Sequence, residues 1–172
     1  MKIRAAEDDD HAGIDALLKD AFPGPDEAQL VVSLRAADAD SLELVAEDKG
    51  CVIGMALFSP VTAQTDENIT HYGLGLAPVA VLPSEQRRGI GAALIKAGLD
   101  YITTLGAPFC VVLGDHDYYA RFDFKPASSM TWSWEKDEAG QLGDAFQCRV
   151  LHADKIPSGP VMVRYHAAFD MV

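Results

Sequence analysis

The chain has 172 residues, within the range of one domain, with 49% hydrophobic and 23% charged residues, a globular balance rather than a disordered or fibrous one. Its 26 acidic and 14 basic side chains leave a net charge of −12 and a pI near 4.6, so nucleic-acid and membrane-surface binding are disfavoured as general functions. A local basic pocket for one anionic ligand remains compatible with that field. The opening MKIRAAEDDD turns acidic at once, and no stretch approaches the roughly 18 apolar residues of a membrane span. Cys51, Cys110 and Cys148 are odd in number and far apart, with no C-x-x-C pair. They read as small buried hydrophobes, with neither a zinc site nor a disulfide framework. A soluble, reduced, cytoplasmic protein without a metal is expected.

No repeat or linker divides the chain, so one domain over 1–172 is read. Residues 2–5 predict a short strand. Asp8, Asp9 and Asp10 suit a helix N-terminus, where carboxylates satisfy free N–H groups, and Ile14, Leu17, Leu18 and Phe22 form the stripe that follows. A second helix starts near Pro25 and turns Leu30, Val31 and Leu34 inward. Strands at 42–47 and 51–59 flank Asp48-Lys49-Gly50 and read as a hairpin. Residues 69–82 form a third extended run, which Pro78 breaks as a bulge, edge or local splay. The helix at 86–105 aligns Ile90, Leu94, Ala97, Tyr101 and Leu105 on one face. A buried strand at 109–113, a short helix at 117–122 and β runs at 131–134, 146–151 and 161–165 complete the order. This pattern implies an α/β (α+β) fold on a mixed sheet.

Chemistry concentrates in residues 79–94, where a strand ends at Leu82 and a loop with Arg87, Arg88, Gly89 and Gly91 leads into the long helix. Glycines remove Cβ atoms where backbone must approach a ligand. Successive N–H groups at a helix start, aided by the dipole, favour an anion. The segment therefore reads as a phosphate or pyrophosphate cradle, or else as a turn that lets a helix pack closely on a sheet. It is no Walker A loop, since G-x-x-x-x-G-K-[ST] is absent. A dinucleotide fingerprint also fails, because Leu94 occupies its last small position and six residues separate Leu82 from Gly89.

The run Gln86-Arg87-Arg88-Gly89-Ile90-Gly91, preceded by Val79-Ala80-Val81-Leu82-Pro83, resembles the acyl-CoA-binding motif Q/R-x-x-G-x-G/A of the Gcn5-related N-acetyltransferase (GNAT) superfamily. A second segment, Gly114-Asp-His-Asp-Tyr-Tyr-Ala-Arg-Phe-Asp-Phe124, is similar to the family's Y-x-x-φ-G-F pattern, with Tyr119 and Phe124 on its aromatic positions. Together with Val161-Met-Val-Arg-Tyr-His-Ala-Ala-Phe169, these runs resemble the YhbS-like branch. Residues 1–126 carry the core motifs, and 127–172 form a β-rich C-terminal extension of the one acyltransferase domain.

The resemblance implies a mostly antiparallel central sheet, flanked by helices and splayed between its fourth and fifth strands, with acetyl-CoA in the opening. It implies that Val79 and Val81 backbone groups pair with the pantetheine arm. An N–H near Leu82 or Val81 would polarise the thioester carbonyl. The amides of Arg88, Gly89, Ile90, Gly91 and Ala92 would hold the pyrophosphate, with Gln86 in the motif and Arg87 and Arg88 near the 3′-phosphate. Tyr119 is implied as the general acid that protonates the leaving thiolate, with Tyr118 as its neighbour. The base is open among His71, Asp115, His116 and Asp117. Asp123 stands where the family carries Gly: either Asp keeps the left-handed turn, which it tolerates better than most residues, or Tyr119 is displaced.

The implied activity is acetyl transfer from acetyl-CoA to a primary amine, on a small molecule or a protein, by direct attack. A homodimer is a further implication. A catalytically silent acyl-CoA-binding or sensing module is the alternative, and an interaction protein whose glycine loop only packs is a third reading.

Overall fold

β1 (Lys2–Ala5) lies antiparallel to β2 (Leu42–Asp48), with Lys2 opposite Glu47, and β2 turns back into β3 (Cys51–Thr65). The turn is the expected one. Lys49 and Gly50 take φ of 50° and 80°, the paired left-handed geometry that matches strand twist in a two-residue hairpin loop. β3 runs six residues beyond the expected Ser59, and β4 (Thr70–Val81) follows it. The computed structural model describes residues 1–171; Val172, the last residue of the expected domain, lies outside the described residues.

Two compact units are resolved. The first holds Met1–Ser59, Leu76–Asp100 and the chain from His166. Its core joins α1 (His11–Ala21) and α2 (Asp26–Ala36), through Ile14, Leu17, Leu18, Leu30, Val31 and Leu34, to Val45, Met55, Leu57 and Ala80 of the strands. Both helical stripes fall where the sequence places them, since apolar residues three and four apart share one face. The helical segment that leads into α1 opens on the expected acidic turn, Asp8–Asp10. Asp10 completes a capping box with Glu7, its carboxylate accepting the Glu7 N–H at 2.8 Å, and it also accepts from both terminal nitrogens of Arg4, at 2.6 and 2.9 Å. Arg4 Nε reaches Glu47 on β2 at 2.9 Å.

The long helix α3 (Ile90–Thr104) corrects the sequence reading. Its buried residues are Ile90, Leu94, Ile95, Leu99 and Ile102, whereas Tyr101 is 51% and Leu105 68% exposed. The expected stripe lies along one edge of the true face, whose centre runs through Gly98. The first half of α3 sits against β3 at Gly54, where a Cβ would come within 3.0–3.2 Å of Ile90, Leu94 and the Ala80 carbonyl.

The second unit holds Pro60–Gly75 and Tyr101–Tyr165. Here β5 (Phe109–Leu113) pairs in parallel with β4 at Leu74↔Cys110 and Gly75↔Val111. After α4 (His116–Ala120) come β6 (Lys125–Pro126), β7 (Trp132–Trp134), β8 (Phe146–Val150) and β9 (Val161–Tyr165). β8 is antiparallel to β5 and β6, and β9 is antiparallel to the end of β3 and parallel to β7. Phe109, Val111, Trp132, Phe146, Cys148, Val161 and Val163 fill its core. The mixed, mostly antiparallel α/β architecture is thus as the sequence predicts. Cys110 and Cys148 are buried as expected; Cys51 is exposed, because it opens β3 directly after the hairpin turn.

Candidate acyl-CoA site

In the first unit, β4 ends and α3 begins around a loop that several interactions hold in place. The Leu82 N–H donates to the Ile53 carbonyl at 3.0 Å, so that donor belongs to the pairing with β3. Backbone groups alternate sides along a strand, so the N–H and C=O groups of Val79 and Val81 point away from β3. The Gln86 side chain folds back, donating Nε2–H to the Val81 carbonyl at 3.2 Å. That bond closes residues 81–86 into one turn around Pro83.

Beyond Gln86 the backbone enters the left-handed region twice, at Arg87 (φ 61°) and Gly89 (φ 81°). The sequence identifies the second through its glycine; nothing in the residue type marks the first. Ala93 N–H donates to the Gly89 carbonyl at 2.9 Å, which makes Gly89 the N-cap of α3. The N–H groups of Gly89, Ile90, Gly91 and Ala92 are then the four that helix geometry leaves without an intrahelical acceptor. A Cβ at Gly89 would meet nothing within 4 Å, so the glycine is there for its left-handed backbone and not for lack of room. Four N–H groups, a helix dipole and two arginines in an acidic chain fit a diphosphate-bearing ligand. Arg88 is exposed and ion-paired with Glu85; Arg87 is exposed as well.

In the second unit, Asp115 caps α4, its Oδ1 accepting the Tyr118 N–H at 2.7 Å. Tyr119 follows in the helix, with its ring edge-on to Phe124 at 5.8 Å and to Tyr118 at 5.1 Å. Asp123 takes φ 62° and its N–H donates to Ala120 O at 3.1 Å. The left-handed turn is therefore present without the family's glycine, and Phe124 behind it is buried. Burial, reinforced by Tyr118 and Cys110, pushes the Tyr119 phenol up to about 12. Tyr118 is engaged elsewhere, its ring beneath the Arg121 guanidinium at 4.4 Å.

The base candidates fall in distinct settings. Asp115 is committed to the cap, His116 has a buried Nδ1 with no hydrogen-bond partner, and Asp117 is exposed. His71 lines a separate open cavity of about 350 Å³ beside Asp66, Glu67 and Pro157. Burial also pushes the Cys110 thiol well above its usual value, which suits a small buried hydrophobe rather than a nucleophile. Among the described residues no cluster of His, Cys, Asp and Glu forms a metal site, and no helix is long and apolar enough to cross a membrane.

A strand, a left-handed glycine loop and a long helix on a mostly antiparallel sheet define the class, and the chain belongs to the acetyltransferase (GNAT) family, whose pattern it matches over residues 11–138. It is an N-acetyltransferase by that membership. It is 36% identical, over 99% of both chains, to the uncharacterized N-acetyltransferase YhbS of Escherichia coli K12. The crystal structure of E. coli YhbS in complex with CoA superposes with a TM-score of 0.87 at 34% identity, covering 98% of this chain and 91% of that one. A GNAT family acetyltransferase from Brucella melitensis in complex with acetyl-CoA gives 0.79 at 37% identity, covering 98% and 97%.

Proposed function

We propose that this protein transfers the acetyl group of acetyl-CoA to a primary amine by direct attack, within one acyltransferase domain and without a metal. The observation that carries this reading is the set of four N–H groups at Gly89–Ala92 that α3 leaves without an intrahelical acceptor, directly after the left-handed Gly89. Acetyl-CoA, when bound, supplies the acyl thioester that a neutral amine attacks. The amides of Arg88, Gly89, Ile90, Gly91 and Ala92 hold the pyrophosphate, and Arg87 and Arg88 attract the 3′-phosphate. Gln86 holds the loop through the Val81 carbonyl. Val79 and Val81 offer backbone groups to the pantetheine arm. With the Leu82 N–H given to Ile53, the Val81 N–H takes the polarising role, and Leu82 contributes its side chain.

Tyr119 holds the proton that the departing sulfur takes as the new C–N bond forms and the C–S bond breaks. A phenol shielded to about 12 stays protonated throughout the neutral range, and the same burial raises the affinity of a neighbouring thiolate for that proton. The acidic surface favours a cationic acceptor. Three unpaired thiols suit a reducing cytoplasm. The silent-module alternative is disfavoured, since Asp123 preserves the turn whose loss would have displaced Tyr119.

Titration calorimetry with acetyl-CoA, with NADH as comparator, tests the cradle, and a panel of amines followed by free-thiol release tests transfer. Micromolar acetyl-CoA binding with amine-dependent thiol release is expected. Absence of binding to acetyl-CoA would overturn the reading.

A further inference from the structure

Gln147 is the one glutamine among the described residues that is completely buried, at 0% exposure, between Phe146 and Cys148 on β8. It stands opposite Val112 on β5 and Pro126 on β6. Its Nε2 donates to the Gly114 carbonyl at 3.2 Å and to the Ala145 carbonyl at 3.4 Å, while its Oε1 is buried without a hydrogen-bond partner. Two carbonyls facing the nitrogen fix the orientation of the amide, because the flipped form would set oxygen against oxygen. A leucine or methionine there would fill similar space without burying an unsatisfied oxygen. What the amide adds is its grip on the Gly114 carbonyl.

Gly114 is the residue between the end of β5 and the cap of α4. Its N–H donates to Ala145 O at 2.9 Å, so both of its backbone polar groups are tied to the β8 end. On its other side lies Tyr119: a Cβ at Gly114 would sit 2.5 Å from Cε2 of that ring. The phenol therefore rests directly on backbone that Gln147 holds.

We propose that Gln147 is a positioning residue for Tyr119, fixing the turn between β5 and α4 through the Gly114 carbonyl and so setting where the phenol stands. The proposal rests on Tyr119 as general acid for its catalytic consequence, but not for the placement itself. Gln147→Leu removes both donors at similar volume. Its thermal melt checks folding, and Gln147→Met replaces it if the leucine variant fails to fold.

Two readouts follow. In spectra of protein carrying ring-labelled tyrosine, the Tyr119 resonance, identified by its loss in Tyr119→Phe, is expected to shift in Gln147→Leu; an unmoved resonance overturns the proposal. In turnover with the amine found by thiol release, Gln147→Leu is expected to lower kcat at least tenfold. It should leave acetyl-CoA affinity within twofold and cost less than a further twofold in the Tyr119→Phe background. Independent, multiplying losses, or full activity of Gln147→Leu, overturn it. If Tyr119→Phe alone keeps full turnover, the acid assignment fails by itself, and the resonance shift then decides whether Gln147 places the ring.

Discussion

Gly98 of α3 and Phe58 of β3 are fitted so closely that a Cβ at position 98 would overlap Cε2 and Cζ of the ring. Phe58 is wholly buried and Gly98 is buried as well, so the ring has nowhere to yield. This contact lies two turns along the helix from the loop proposed to hold the pyrophosphate, and it sets how near α3 can approach the strand. An exposed helical Gly→Ala change would gain about 1 kcal/mol from propensity. Here overpacking costs about 1–3 kcal/mol and dominates.

Gly98→Ala is accordingly expected to lower Tm and to weaken acetyl-CoA binding together, by pushing the helix start away from the strand. Adding Phe58→Leu should restore part of both. A Gly98→Ala protein as stable as the parent would show that the helix can shift without cost.

At Gly89 the same substitution has a different reason to hurt. Space is open, but φ is 81°, and an L-residue in that region costs roughly 1–2 kcal/mol. Gly89→Ala should therefore lose modest stability and keep most of its affinity. Gly89→Glu should lose about as much stability, while a carboxylate before four N–H groups weakens acetyl-CoA binding by about 100-fold or more. Calorimetry on both variants separates strain from ligand repulsion, and equal affinities would remove the anion from this loop.

As the proposed general acid, Tyr119 would act only while protonated, so its contribution would be present below its pKa and lost as pH rises through it. With the phenol raised from 10 to about 12 by burial, kcat should show no fall attributable to it between pH 7 and 10. Tyr119→Phe should lower kcat by about 100-fold with little change in acetyl-CoA affinity. A descending limb centred near 10 that vanishes in Tyr119→Phe would mean the ring is solvated during turnover.

Acid stability has a specific source in Asp10. The Arg4 guanidinium beside it and the Glu7 N–H hold its carboxyl down at about 2, against 3.8 unfolded. Between those values the unfolded chain binds more protons, so stability rises with pH there. The contribution is complete above about 4 and disappears as pH falls through 2. Asp10→Asn should lower stability at pH 7 and flatten its dependence between pH 4 and 2, as urea melts across that range would record. An unchanged slope would assign the acid transition to other carboxylates.

Local chemistry by itself determined much of this protein. The hairpin at Asp48-Lys49-Gly50, the inward faces of α1 and α2, the strand–loop–helix at 79–94 and the two motifs that point to the family are set within a few residues of chain. Periodicity and glycine placement therefore expose them. Tertiary pairing decided the rest. Leu82 lost its role as a donor because Ile53, 29 positions earlier in the chain, takes its N–H. The inward side of α3 is turned toward Gly98 because the Phe58 ring can be admitted only where no Cβ stands. Gln147 lies buried because Gly114, 33 positions away, needs a partner for its carbonyl. Each of these depends on a group remote in sequence, and the periodicity of a single segment carries no record of what will lie across from it.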